Sequence, residues 1–383
     1  MAGLLNVIGI GLTGITMIPF LESLIPRHID RTTTVRIGVG LAQDDKPMDG
    51  NIPGIRLFDN FGHPIGAHRG NKGRIAEGGY HDISIVGEYK YKTVLIPGPR
   101  GDYHEMKVKD GEGMGGRQAE YISVSKGGND PLCIAYISVN WPDGGKNPWF
   151  GDTGKACGAD WYVSQTIAGS NNYRPACTWI DGDTKTGHLY QGMGIHITDF
   201  TATFERTTQY SHDNATMCQS KPRFHMYHQL STDDFLPYFD PPLVFNDTLE
   251  DIDRKLVLVS GSSRGPLPPN RRRSIETRDV QSKSRFFMRD RLITSEHQSH
   301  SAAELCNSQT SLGPDFVSHQ EGLFCDMSEK KLWPLCSQAH KHACFDPETS
   351  EMRPGDVNSL NGRDESSGTP VPEKSYQKIT HWR

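Results

Sequence analysis

The sequence predicts a mainly β protein, an antiparallel β-sandwich (jelly-roll-like) with a small disulfide-rich C-terminal region. Three observations carry this. From Thr32 to Phe204 apolar residues alternate in short runs bounded by Gly, Pro, Asn or Asp, the period of strands that bury one face. Forty glycines and 24 prolines in 383 residues punctuate the chain too often for long helices. The eight cysteines fall into two groups of four, Cys133, Cys157, Cys177 and Cys218, then Cys306, Cys325, Cys336 and Cys344. Even numbers in each group suit two separately stapled regions, and such staples persist in an oxidising compartment.

The elements follow in order. Residues 2–21 carry no charged side chain, about the length that crosses a bilayer, so residues 1–31 are expected to be a hydrophobic signal or anchor segment. This stretch also holds Gly9, Gly11 and Gly14 in the spacing G-x-G-x-x-G. A dinucleotide site would need a helix after the motif and an acidic residue at the end of the next strand. Pro19 interrupts that helix and the run from Val35 to Val39 ends in glycine, so no nucleotide cofactor is expected.

Residues 32–260 are expected to form the sandwich. Its strands are read in "TTTVRIGVG", "GIRLFDN", "HDISIVG", "YISVSKGGNDPLCIAYISVNWP", "DWYVSQTI", "CTWIDGD" and "GIHITDFTATF"; the fourth reads as strand, Gly-Gly-Asn-Asp turn, strand. Parallel strands would need longer crossovers than these intervals allow. Residues 261–300 form a polar linker, with nine basic and three acidic residues between Arg264 and Arg291, expected to be exposed. Residues 301–345 make the cysteine-rich region, small enough to depend on its staples. Residues 346–383 are polar enough to be expected as a disordered tail.

The most distinctive stretch is "NWPDGGKNPWFGDTGKACGADWY" with "ACTWIDGD". It gathers Trp141, Trp149, Trp161, Tyr162 and Trp179 beside Asp143, Asp152, Asp160, Asp181 and Asp183. Flat aromatic faces suit sugar rings and carboxylates accept bonds from hydroxyls, so Trp149, Asp152, Asp160, Trp161, Tyr162, Trp179, Asp181 and Asp183 are the candidate ligand-binding residues. The same residues also suit a disulfide-pinned core with its aspartates in turns. Paired carboxylates such as Asp181 and Asp183 could serve glycosidic hydrolysis, although aspartate beside glycine is commonly a turn residue.

Metal readings fare worse. A calcium loop beginning at Asp181 would have Lys185, Thr186 and Gly192 at its fifth, sixth and twelfth positions, where an oxygen ligand, glycine and glutamate are required. Cys336, His340, His342 and Cys344 lie close together, but their spacing is unusual for zinc and would strand Cys306 and Cys325. His225 and His228 sit in a proline-flanked stretch read as a loop. No metal site is expected, and no H-E-x-x-H motif occurs.

"GGNDPLCIAYISVNWPDG", "WFGDTGKACGADWY", "ACTWIDGD" and "SAAELCNSQTSLGPDFVSHQEGLFCDMSEKKLWPLC" together resemble a family of secreted proteins from filamentous ascomycete fungi that has no assigned chemistry. The resemblance covers most of residues 32–345 outside the linker. It implies an extracellular fungal protein and supplies no catalytic residues.

The sequons at Asn214 and Asn246 and the tribasic Arg271, Arg272, Arg273 agree with a secretory route, as glycosylation and processing sites. The first expectation is therefore a secreted, non-catalytic, effector-like glycoprotein that binds wall glycan, a host molecule or a protein partner at the cell exterior. The second is a secreted glycan hydrolase using the 141–183 cluster; the third is a membrane-anchored protein of a fungal biosynthetic pathway. A net charge of −5 gives no reason to expect a nucleic-acid partner. Membrane contact is expected only through residues 2–21 if these are not cleaved. Arg27 and Arg31 on the far side of that segment would favour holding the chain in the cytosol.

Overall fold

The computed structural model describes residues 4–29, 32–75, 80–86, 91–97, 103–109, 118–201, 215–247, 287–354 and 371–383, except 12, 13, 44, 45, 48, 49, 170, 171 and 184. The fold is mainly β with predominantly antiparallel sheets. The first sheet runs in the order Tyr80–Val86, Thr32–Val39, Leu132–Asn140, Cys177–Ile180, Trp161–Tyr162, with Lys146–Phe150 also paired to Leu132–Asn140. A second sheet has the order Phe224–Tyr227, Gly192–His196, Tyr121–Ser125, Gly54–Phe58, Pro64–His68. Every pairing in these two sheets is antiparallel.

Alternation explains how the two sheets share a core. Val35, Ile37 and Val39 from the first join Ile55, Leu57, Ile122, Val124, Met193 and Ile195 from the second in one buried cluster. In Leu132–Asn140 the alternation slips by one residue. Leu132 and Ile134, then Ile137 and Val139, face this cluster because a β-bulge lies between Ile134 and Tyr136. The run YISVSKGGNDPLCIAYISVN does supply two strands, but they belong to different sheets. The Gly-Gly-Asn-Asp segment therefore crosses between layers instead of closing a hairpin.

The opposite face of the first sheet is also covered. Cys133, Tyr136, Phe150, Trp161, Tyr162 and Trp179 pack with Ile293, Leu305, Leu312, Phe316 and Trp382 in a second buried cluster. Those partners belong to a third sheet, its helix and, for Leu312, the segment that joins them. The sheet has the order Lys331–Pro334, Leu323–Asp326, Asp315–Ser318, Arg291–Ser295, Lys378–Trp382, and Arg291–Ser295 runs parallel to both its neighbours. The helix Ala302–Asn307 begins at Ser301, whose hydroxyl accepts the Glu304 N–H at 2.9 Å. Both long strands of the first sheet are buried along their whole length; Leu132–Asn140 accordingly opens on an unbroken apolar run, Leu132 to Ile137, while Thr32–Val39 keeps its alternation. Tyr136 crosses over Gly38 on the neighbouring strand, and a Cβ there would overlap its ring.

This layer corrects two expectations. The polar linker of residues 261–300 ends earlier, because Arg291–Ser295 is an interior strand of the third sheet, paired on both sides, and Leu292 and Ile293 are fully buried. Charged neighbours masked a five-residue strand too short to lift the local hydropathy. The tail read as disordered, residues 346–383, contains the strands Glu351–Arg353 and Lys378–Trp382, with Trp382 buried. Residues 261–286, including Arg271, Arg272 and Arg273, and residues 355–370 lie outside the described residues, as does Asn214.

All eight cysteines are paired, each within its own group: Cys133–Cys177, Cys157–Cys218, Cys306–Cys325 and Cys336–Cys344. The four staples fit an oxidising compartment. They also remove Cys336 and Cys344 from any zinc site.

The opening segment is a β-hairpin, Leu4–Gly11 against Gly14–Leu21, with Gly11 opposite Gly14. Gly9, Gly11 and Gly14 thus lie on two paired antiparallel strands, and the motif runs directly into the strand Gly14–Leu21 where a dinucleotide site would need a helix. Phe20 is buried in the second cluster, edge-on to Tyr136 at 5.6 Å. Among the described residues no helix is long and apolar enough to cross a membrane.

Candidate functional site

The structure does not gather the candidate residues onto one open surface. Trp149 lies between the first and second sheets, stacked near Phe224 at 5.9 Å. Trp161, Tyr162 and Trp179 lie on the other side of the first sheet, against the third layer. Their polar tips are engaged internally. Trp161 Nε1 donates to Ser308 Oγ, Tyr162 OH to the Pro314 carbonyl and Trp179 Nε1 to the Leu312 carbonyl, at 3.0, 2.8 and 2.8 Å. These bonds fasten the two layers to each other.

The carboxylates divide in the same way. Asp152, at the start of the helix Asp152–Ala156, accepts from Tyr173 OH at 2.6 Å and from the Ala176 N–H at 3.1 Å. Burial pushes it up to about 6. Asp160 accepts the Leu189 N–H at 2.8 Å and is pushed by burial up to about 7. Asp181 follows the strand Cys177–Ile180; it accepts from Gly182 N–H at 2.6 Å and from the Thr186 hydroxyl, and burial raises it to about 6. Asp183 is half-buried and accepts the Lys185 N–H at 2.9 Å. Asp181 and Asp183 sit in one loop, and no strand gives them a shared face.

That loop holds a relay that sequence reasoning missed. Thr186 bridges the Asp181 carboxylate and His188 Nδ1, the latter at 2.8 Å. His188 is fully buried between Trp179 and Phe287, with ring centroids 4.8 and 4.5 Å away, and its Nε2 has no partner. Burial pushes it down to about 3, so it is neutral near pH 7. Where the loop reaches the surface, Tyr190 and His228 stack nearly parallel, 4.9 Å apart and inclined by 16°. Tyr190 is half-buried and His228 exposed. Lys126 Nζ and Gln191 Nε2 both donate to the Gly182 carbonyl beside them, each at 3.1 Å. His228 follows the strand Phe224–Tyr227, which corrects the loop reading of this stretch. Phe224 and Met226 turn inward and leave His225 and Tyr227 on the other face.

A second polar cluster lies at the end of Gly192–His196. His196 Nδ1 meets Asp199 at 2.7 Å; its Nε2 meets Thr198 Oγ1 at 3.1 Å and Glu120 at 3.3 Å; and Arg223 pairs with Asp199 at 2.7 Å. His196, Asp199 and Arg223 are all buried. Burial disfavours the His196 imidazolium, but Asp199 and Glu120 more than offset it and raise its pKa. The His-x-x-Asp spacing on a strand that enters a 3-10 turn was the available sequence signal.

The network makes stability depend on pH. A raised histidine contributes stability that is fully present below its unfolded value, about 6.5, and is lost as pH rises through the folded value. His196→Gln should therefore lose most against the parent near about pH 6 and progressively less toward about pH 9. Thermal melts of both proteins across that range check this; a gap independent of pH would refute it.

No protein-family model matches the chain, and no curated protein matches it.

Proposed function

We propose that this protein is secreted and works without catalysis, binding a glycan at the cell exterior through the rim formed by Tyr190 and His228. The observation that carries the reading is that near-parallel pair at the surface, next to Gln191, which shares the Gly182 carbonyl with Lys126. A flat ring stack beside donors and acceptors is the arrangement a sugar ring and its hydroxyls require. The buried tryptophans then serve as the frame of the rim. Four disulfides support the extracellular assignment, and Asn246, the sequon residue among those described, is exposed.

The Tyr190→Ala/His228→Ala protein, with its thermal stability confirmed, should bind insoluble wall polysaccharides at least about tenfold more weakly than the parent, a loss of about 1–2 kcal/mol. Unchanged retention in the pull-down would reject the rim as the site. One observation favours a hydrolase as the second reading: Asp160 and Asp181 are held near neutrality, where one carboxyl can stay protonated. Release of reducing ends by the parent, abolished in Asp181→Asn, would establish that reading instead.

A further inference from the structure

Beneath the third layer, Lys374 is enclosed by two aspartates. Its Nζ stands 2.8 Å from Asp315 Oδ2 and 2.7 Å from Asp326 Oδ1, and the three side chains are 8%, 2% and 1% exposed. The carboxylates are held differently. Asp315 Oδ1 accepts the Met327 N–H at 2.8 Å, and its Oδ2 accepts the Tyr376 hydroxyl at 2.7 Å. Both oxygens are thus polarised by donors, as an acyl carbon open to attack requires. Asp326 Oδ1 accepts the Ser328 and Glu329 N–H groups, while its Oδ2 is buried with no partner.

We infer that Lys374 and Asp315 are the two ends of an intramolecular amide cross-link, with Asp326 as its proton carrier. Two carboxylates and one ammonium would leave a net negative charge in the interior, so the cluster is best balanced with one carboxyl protonated. Burial raises the pKa of Asp315, which favours its protonated form. The proton inventory is then the one condensation needs. Asp326 takes a proton from the ammonium, and the nitrogen attacks Cγ of the Asp315 carboxylic acid. A second nitrogen proton passes by way of Asp326 to the departing hydroxyl, which leaves as water. One N–C bond forms and one C–O bond breaks; nothing is oxidised or reduced. Asp326 ends protonated, so the product carries no charge where the starting cluster carried an ion pair. Proximity removes the entropic barrier that the same reaction faces between free groups. A cavity of about 540 Å³, lined by Lys374 together with Arg289, Asp290, Ser328 and Glu329, gives the water an exit.

The bond would join the segment leading into Lys378–Trp382 to the strand Asp315–Ser318, beside the Cys306–Cys325 staple. The test is mass spectrometry of the full chain, denatured and with disulfides reduced and alkylated. A protease digest should yield a branched peptide joining Lys374 to Asp315, lighter than its two components by one water. The same digest of Asp326→Asn, which preserves size, should yield the two separate peptides. A linear Lys374 peptide from the folded parent, or a branch on Asp326 in place of Asp315, would overturn the assignment. If Asp326→Asn does not fold, the parent digest decides alone.

Discussion

Replacing Trp382 with alanine is expected to cost about 3–5 kcal/mol of stability, the range for removing a fully buried aromatic ring. The residue sits in a polar stretch, yet it is 1% exposed. Its Nε1 donates to the Ala42 carbonyl at 3.0 Å, and its ring meets His300 at 5.4 Å and Phe316 at 6.5 Å. The substitution would open a cavity between the third layer and the first and leave the Ala42 carbonyl without its donor. Equilibrium denaturation in urea measures the loss. A change below about 1 kcal/mol would mean that this end of the chain does not seal the second core.

Removing the Cys133–Cys177 disulfide by a double alanine substitution should cost about 4 kcal/mol, since the bond closes a loop of 44 residues. The Cys336–Cys344 bond closes 8 and should cost about 2.5 kcal/mol. Parallel denaturation of the two double variants checks the ranking. Cys133 and Cys177 are also both buried on the packed side of adjacent strands, whereas of the Cys336–Cys344 pair Cys344 is buried and Cys336 half-buried. Equal losses, or a reversed order, would show that packing strain outweighs chain entropy at these positions.

The strands of the two-sheet core were readable where one face meets the core. Val35, Ile37 and Val39 alternate, as do Ile55 and Leu57. The grouping of cysteines also anticipated that each set pairs within itself. What escaped was tertiary. Nothing in "RLITS" announces that it pairs in parallel with two distant strands, because parallel pairing is set by partners far away in the chain. The tail looked disordered because its average polarity hid Tyr376, Ile379 and Trp382, three residues that dock on a surface built elsewhere.

The tryptophan and aspartate cluster shows how composition and placement part company. The residue types that would read a sugar also build a densely hydrogen-bonded interior, and local sequence does not distinguish them. In "DWY" and "CTWI" the rings turn toward a layer whose existence was not visible from those residues. The Tyr190–His228 stack brings together residues 38 positions apart, and strand pairing alone creates it. His196 and Asp199 were nearer to being legible, since they stand three apart in one run.

The strand Leu132–Asn140 is a party wall: one side of it belongs to the sandwich core and the other to the cysteine-rich layer. Neither compartment can lose its packing without exposing the common partition, so the layers should melt together as a single cooperative transition. The amides of that strand should then exchange with solvent only when the molecule opens as a whole, and they will report its global stability more faithfully than any side chain at the rim.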